Sequence, residues 1–332
     1  MAAGPAMEPR VIPALVARHA GDAAFYWQQH DRAAYSPLVG LSQLQEFDRL
    51  LDAHLDGLHV AGDAGWNAAL AELDRWGGAN EAFVAATLGL ASAQESSRIE
   101  HVAQLVQKNP ERMLRGLVGG LIWAPPDIAE HWCMQWMHPD APAVLTEAAW
   151  RATAVMSRRV TGHSQSPQLR ASLPLTLASS RPAVRAAACR AAACLDVAAL
   201  QAMLRDSVRD VRAEAAIGWL RQSTLAERQK KDTHQNHLQV VAVLWQACQS
   251  LMDELAGLSG WYRAQALRRL ARWVYQLAVA VPMQHPAVAP LLERLPMRLG
   301  LWFVLHHGDA HYLSWVVQCM DNPEVVRLAG WI

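Results

Sequence analysis

The sequence predicts an all-α fold, an α-solenoid in which helix pairs stack one after another. Two observations support this prediction. Apolar residues recur at steps of three and four along most of the chain, and no strand-like alternation bounded by hairpin turns is found. In addition, a short pattern returns after 27 to 30 residues, which is a period typical of helix-pair solenoids.

The repeat unit has four parts: a polar turn residue, four further residues, an apolar residue followed by arginine, and a helix rich in small residues. We expect the turn residue to cap the helix, the apolar residue to face the core, and the small residues to permit close helix packing. The units contain Ser179, Val184 and Arg185; Asp206, Val211 and Arg212; Asn109, Leu114 and Arg115; and Asp321, Val326 and Arg327. Arg185 and Arg212 are 27 residues apart, and weaker echoes at Val84 and Val144 lie 30 residues before and after Leu114.

The repeated arginines allow two interpretations. Arg185 and Arg212 occupy equivalent places in successive units, so they can stack into a ladder that reaches carbonyls or acidic partners such as Asp206. Such a ladder would hold neighbouring repeats together. The alternative is a row of arginines that binds a ligand. We favour the structural interpretation.

Three regions are predicted along the chain. Residues 1–78 form an N-terminal helical cap region, residues 79–228 hold the repeats, and residues 229–332 hold further helical repeats continuous with the solenoid. Within the first region, periodicity predicts helices at 11–20, 22–34, 41–58 and 63–76, with a capping box formed by Ser42 and Gln45.

The remaining elements follow the same signals. An insertion loop is predicted at 161–167 and a charged break at 229–236. Short basic stretches at Arg158-Arg159 and 228–231 are interpreted as solvated loops. Further helices are predicted at 237–256, 260–281, 297–306, 309–319 and 323–331.

Composition limits the functional classes. The chain has 332 residues, of which 52% are hydrophobic, and 30 Lys and Arg balance 30 Asp and Glu. A dedicated nucleic-acid binder normally has a basic excess, so we predict no nucleic-acid partner. The longest apolar run, near Trp273, is too short to cross a bilayer, and the start of the chain lacks the apolar segment of a signal peptide.

Five cysteines are scattered through apolar helical stretches, without a Cys-x-x-Cys pair. That pattern is typical of buried thiols in a reducing compartment, so we predict a cytoplasmic protein. The tryptophans and methionines around Trp132 and Trp136 also lie at helical spacing and are interpreted as core rather than as a ligand cage.

One histidine cluster could hold a metal ion. His306, His307 and His311 lie close to Asp309 in sequence, and imidazole with carboxylate is a common zinc ligand set. However, Gly308-Asp309 is also what a turn between repeats needs, with glycine ending one helix and aspartate starting the next. We favour the turn, and we predict no catalytic, cofactor-binding or metal-binding residue and no cofactor.

Segments at both ends of the chain resemble one family. The opening His19-Ala20-Gly21-Asp22-Ala23-Ala24-Phe25 with Trp27, the stretch Ala53-His54-Leu55-Asp56-Gly57-Leu58, and the ending with Gly308-Asp309, Trp315 and Met320-Asp321-Asn322-Pro323 are similar to an uncharacterised proteobacterial family. The resemblance implies HEAT-like helix pairs and a gene placed among type VI secretion genes. That family has no established catalytic residues, so none is carried over.

Three functional hypotheses follow from these features. The favoured one is a non-enzymatic interaction module that binds a protein of its own locus, as an effector chaperone, an adaptor or an immunity protein of type VI secretion. The second is an enzyme on a HEAT scaffold, such as a base-excising enzyme acting on nucleic acid or a lyase. The third is a purely structural scaffold.

Overall fold

The computed structural model describes residues 11–33, 36, 39–90, 96–159, 167–196, 198–222 and 231–332. Throughout these ranges the chain forms helices and turns, without strands. The first eight helices are α1 (Pro13–Ala33), α2 (Leu41–Val60), α3 (Asp63–Trp76), α4 (Ala79–Gly89), α5 (Ser96–Lys108), α6 (Pro110–Trp123), α7 (Pro126–Trp136) and α8 (Ala143–Arg159).

The second half of the chain is also helical. They are α9 (Pro167–Leu177), α10 (Pro182–Leu195), α11 (Ala198–Met203), α12 (Arg209–Gln222), α13 (Lys231–Leu255), α14 (Gly260–Ala280), α15 (Val288–Arg294), α16 (Met297–His307), a 3₁₀ turn (Ala310–Tyr312), α17 (Leu313–Cys319) and α18 (Val326–Trp331). The fold-class prediction is confirmed, because the described chain is all-α and its helices pack mainly against near neighbours in sequence.

The chain divides into two compact units, Met1–Met156 and Ser157–Ile332, which we call unit 1 and unit 2. In unit 1, α1 packs against α2, α3 and α4, and α4 in turn packs against α5 and α6. The core of this region contains Trp27 stacked on Phe83, with ring centroids 4.9 Å apart, and the fully buried Leu51 and Leu58. The three-region division predicted from the sequence concerns repeat types and stays a prediction.

Unit 2 contains two layers of helices. Helices α10, α12, α14, α16 and α18 contact one another in that order, and we call them the even layer. Helices α9, α11, α13, α15 and α17 pack against the even layer. Each repeat therefore adds one helix to each layer, which is how a solenoid buries a continuous core.

Three local predictions were wrong. The helices expected at 11–20 and 22–34 are the single helix α1, because the buried stripe of Val16, Ala20 and Ala23 continues past Gly21. The capping box at Ser42 is absent, since Gly40 occupies the N-cap of α2 and no side chain caps it. The charged break at 229–236 is helical from Lys231 onward, where α13 begins.

Two further loop predictions concern the residues around the end of α8. The basic pair Arg158-Arg159 was expected in a loop, but both residues belong to α8, which ends at Arg159. Residues 161–166 of the predicted insertion loop lie outside the described residues, and Pro167 is the first residue of α9. Among the described residues, no helix is both long enough and apolar enough to span a bilayer.

Candidate functional site

The clearest repeat arginine joins two successive repeats. Arg185 on α10 donates to both carboxylate oxygens of Asp206, with Nε–O and Nη–O distances of 2.7 and 2.9 Å, and also to the carbonyl of Ser179 at 2.8 Å. Arg212 donates to the carbonyl of Asp206 at 2.7 Å. The arginines therefore bind turn carbonyls and one central carboxylate, and Val184 and Val211 beside them are buried.

The charge of Asp206 depends on this contact. Burial by itself would raise the pKa of Asp206, but the hydrogen bonds from Arg185 and from the backbone N–H of Val208 outweigh burial, and the pKa lies below its usual value. The side chains of Asp206 and Arg185 are 8% and 13% exposed, so solvent screens the pair only weakly.

The expected helix capping by turn residues is wrong in detail. The hydroxyl of Ser179 accepts from the N–H of Arg181, and Asp206 accepts from Val208, so both side chains close the turn before the helix rather than capping it. Asn109 stands at the N-cap of α6 without a side-chain hydrogen bond. Local side-chain-to-backbone turns of this kind compete with capping for the same oxygen.

The outer repeat positions differ from the central ones. Arg115 on α6 pairs with Asp31 on α1, and Leu114 is buried. In the last unit, Val326 is 39% exposed, and Arg327 is also exposed at the surface of α18. Asp321 and Asn322 lie in the turn before α18, where Asn322 accepts from the N–H of Glu324 at 2.9 Å.

The three histidine rings of the C-terminal cluster have different neighbours, and that of His311 packs edge-on against Tyr312. His307 is buried, with Nδ1 3.1 Å from the carbonyl oxygen of Ala278, whereas His306 stacks on Trp302 with an interplanar angle of 12°. Gly308 ends α16 in the left-handed conformation at φ 72°, and Asp309 accepts from the N–H of His311 at 3.0 Å. The turn interpretation is confirmed by these two residues. Across the described chain, no three acidic, histidine or cysteine side chains are placed to share a metal ion.

Asp309 also holds a second turn. It accepts from the backbone N–H of Gln284 at 2.7 Å, and Gln284 has a positive φ of 58°, which is costly for a residue with a side chain. The hydrogen bonds from His311 and Gln284 hold the pKa of Asp309 below its usual value. The carboxylate therefore links the start of the last repeat to the turn between α14 and α15.

Two N-terminal segments named in the resemblance meet in unit 1. The Nδ1 atoms of His19 on α1 and His54 on α2 are 2.9 Å apart, and Tyr26 stacks on His54 at an interplanar angle of 15°. One ring must donate and the other accept, so the pair holds a single proton at this contact. Burial and then His19 lower the pKa of His54, although Asp22 opposes them. A Cβ at Gly57 would lie 3.0 Å from His19 Nε2, so glycine makes room for the ring.

The most distinctive exposed feature is a row of aromatic rings on the even layer of unit 2, formed by Tyr275, His306, Trp302 and Trp331. The ring centroids of Tyr275 and His306 are 4.4 Å apart, those of His306 and Trp302 are 5.5 Å apart, and those of Trp302 and Trp331 are 6.1 Å apart. Tyr275 is 43% exposed and Trp331 is 50% exposed. We call these four residues the aromatic row.

The sequence interpretation missed this row, because it considered only the tryptophans and methionines around Trp132 and Trp136 and assigned them to the core. Trp132 and Trp136 are indeed buried. The signal that separates Tyr275 is its position on α14 three residues after Arg272, on the polar side of the helix. Trp302 and Trp331 carry no comparable signal, since their neighbours in sequence are apolar.

Comparison of the chain with protein-family models, with curated proteins and with solved structures finds no match.

Proposed function

We propose that this chain is a non-enzymatic protein-interaction module that binds its partner through the aromatic row. The observation that carries the proposal is the continuity of four neighbouring rings across α14, α16 and α18, with Tyr275 and Trp331 about half exposed. Tyrosine and tryptophan dominate the binding energy of protein interfaces, because they bury a large apolar area with few rotatable bonds.

The row is held in place before any partner arrives. His306 lies between Tyr275 and Trp302, with its ring parallel to the indole and perpendicular to the phenol. Burial lowers the pKa of His306, so the neutral imidazole is favoured and no charge interrupts the aromatic surface at neutral pH. A preorganised surface loses less conformational entropy on binding.

The partner we propose is a protein encoded in the same locus, an effector or an adaptor of type VI secretion, and the site of action is the cytoplasm. This part of the proposal is supported by the resemblance of the opening and closing segments to the secretion-associated family. The role of effector chaperone, adaptor or immunity protein depends on which locus product is bound.

Co-expression with each locus product, followed by size-exclusion chromatography, tests the proposal. Replacing Tyr275 and Trp331 together by alanine should abolish co-elution. The dissociation constant should rise by at least about 30-fold, which corresponds to a loss of about 2 kcal/mol in the free energy of binding. Trp76→Ala provides a matched control, because Trp76 is 55% exposed but lies in unit 1.

Three results would oppose the proposal. They are the absence of any co-eluting locus product, a complex that survives the double replacement, and an equal loss with Trp76→Ala. Melting midpoints of all variants must stay near that of the wild type, which the exposure of these side chains leads us to expect.

A further inference from the structure

In unit 1, the N-terminal half of α1 meets α2 through two imidazole rings that face each other. The Nδ1 atoms of His19 and His54 are 2.9 Å apart, and the side chain of His54 is only 20% exposed. Tyr26 stacks on His54 with ring centroids 5.5 Å apart, and the backbone of α2 at Gly57 approaches the ring of His19. The contact is therefore shielded from solvent on more than one side.

The packed pair has room for one additional proton. Whichever ring donates at Nδ1 can also be protonated at Nε2 without losing the hydrogen bond, and for His54 the Asp22 carboxylate lies 3.9 Å from Nε2. A second additional proton would place an N–H on both facing Nδ1 atoms and remove the acceptor. Two cationic donors that face each other at this distance repel. The packed pair therefore holds at most one positive charge.

The charged groups around the pair do not offset this repulsion. Asp22 is the carboxylate nearest to His54, and it is shared with Arg18, whose Nε lies 3.3 Å from the same oxygen. Burial is the largest cause that lowers the pKa of His54; Asp22 opposes it, whereas His19 and Arg18 add to it.

The neighbouring helices α3 and α4 supply no further counter-charge among their described residues. Asp74 on α3 is exposed, and the other carboxylates of these helices have partners elsewhere: Asp63 binds Arg98, Glu72 accepts from Trp76, and Glu81 accepts from the N–H of Gly78.

The other end of the α1–α2 contact responds to acid in the opposite sense. His30, in the C-terminal half of α1, has its Nε2 3.4 Å from Asp48 Oδ1 on α2, so a proton on His30 adds attraction. The ion pair of Asp31 with Arg115 on α6 also holds this half of α1. Acid therefore weakens the contact only in the half of α1 that carries His19.

We propose that the His19–His54 pair is an acid-sensitive latch, which releases residues 13–23 of α1 from α2 when both rings become protonated. The packed state binds at most one extra proton, whereas the released state binds two, each with the ordinary histidine pKa near 6.5. By linkage, the packed state is fully favoured above that pH and is progressively lost as pH falls below it.

Release would uncover an apolar surface in unit 1. Val16 and Ala20 on α1 and Leu55 and Leu58 on α2 belong to the same buried core cluster. The latch is thus a device by which mild acid exposes a surface that is closed at neutral pH. It rests on contacts within unit 1 and is independent of the aromatic row.

Hydrogen exchange of the full chain, read by mass spectrometry of peptides from α1, tests the latch. Protection factors compare measured with intrinsic rates at each pH, so they remove the direct effect of pH on exchange. From about pH 7.5 to about pH 5, we expect protection of residues 13–23 to fall by about 30-fold, the ratio for one proton bound with a pKa near 6.5. Protection of residues 24–33 should change by less than about threefold.

His54→Asn is the decisive variant. Its amide nitrogen can donate to a neutral His19, and its amide oxygen can accept from a protonated one, so the contact no longer depends on pH. Protection of residues 13–23 should then fall by less than about threefold between the same pH values. His59→Asn is the matched control, because His59 is exposed on the same helix, and it should respond like the wild type.

Loss of protection in the wild type and in His59→Asn, but not in His54→Asn, supports the latch. Unchanged protection of the wild type, an equal loss in His54→Asn, or an equal loss throughout unit 1 would each overturn it. If His54→Asn does not fold, an NMR titration of the wild-type histidine rings decides. Uptake of the second proton by the pair must coincide with the loss of protection, and independent titration of both rings with protection retained refutes the latch.

Discussion

The two units contain closely packed helix pairs that are built from different residues. In unit 1, α6 approaches α4 so closely that a Cβ at Gly116 would lie 2.1 Å from the carbonyl oxygen of Ala79. In unit 2, α12 packs on α10 with fully buried alanines such as Ala216, and a Cβ at Gly218 would first meet Leu200 Cδ1 of α11 at 2.9 Å, before the carbonyl oxygen of Cys189 on α10 at 3.1 Å. A methyl group at Gly116 is therefore excluded by the backbone of α4, whereas at Gly218 the backbone of α10 lies an ångström farther away and the closest atom belongs to a flexible side chain.

The two contacts also differ in their use of charge. Arg185 with Asp206 and Arg190 with Glu214 join α10 to α12 or to the turn before it. Between α4 and α6, no described ion pair is found, and the nearest one, Arg115 with Asp31, joins α6 to α1. The comparison suggests that backbone-limited contacts need only steric fit, whereas the methyl-lined contact of unit 2 is supplemented by ion pairs.

The largest effect is expected for Gly116→Ala. The added methyl group would overlap a carbonyl oxygen that cannot rotate away, so α4 and α6 must separate, at a cost of about 3 kcal/mol in the free energy of unfolding. Urea denaturation measures this loss. Gly21→Ala is the control, because no atom lies within 4 Å of its added Cβ and helix propensity should then stabilise the protein by up to about 1 kcal/mol. A Gly116→Ala midpoint at or above that of the wild type would refute the close approach.

A smaller loss is expected for Asp206→Asn, which removes the charge that Arg185 binds. We expect about 2 kcal/mol at pH 7, as for hydrogen bonds to a charged group that become neutral. Because the folded-state pKa of Asp206 is lowered, this contribution is present above the usual pKa near 4 and is lost as pH falls through the folded value.

Stability curves of wild type and Asp206→Asn should therefore converge at low pH. Glu46→Gln is the control for an exposed pair, since Glu46 contacts Arg49 at the surface, and no measurable change is expected there. Equal stability of Asp206→Asn and wild type at pH 7 would contradict the role of the pair.

The smallest effect is expected for Gly218→Ala, which repeats the first substitution at the other contact. The new methyl group would meet the end of the Leu200 side chain, which can change rotamer, and the carbonyl oxygen of Cys189 at 3.1 Å. The gain in helix propensity offsets much of the strain, so stability should stay within about 1 kcal/mol of the wild type. A loss as large as that of Gly116→Ala would show that the two contacts are equally rigid.

The close helix packing could be predicted from the sequence in unit 2 but not in unit 1. The alanine-rich repeat around Arg185 and Arg212 was predictable, because alanines and arginines recur there at equal spacing. In unit 1 the repeat at Leu114 and Arg115 was also predicted, but the close packing there depends on Gly116 and on Phe83 stacked with Trp27, and these residues do not belong to the repeated pattern.

Side-chain contacts between repeats were harder to predict than the fold. Glu214 lies within an alanine-rich stretch, and a carboxylate at a buried helical position was the one available signal for its ion pairs with Arg190 and Arg272. Arg190 and Arg272 lie on α10 and α14, so their charges do not form a cluster with Glu214 along the chain.

Local order along the chain was determined by the sequence itself. Helical periodicity predicted the all-α class, Gly77 and Gly308 marked helix ends in the left-handed conformation, and Asp309 marked the start of a repeat. These features depend on residues within a few positions of one another, so they can be read without tertiary contacts. Only the tertiary structure decided which side chains become neighbours across repeats. The aromatic row depends on the alignment of α14 with α16 and α18, and the ion pairs of Glu214 depend on the alignment of α10, α12 and α14. The packing of whole helices sets both alignments.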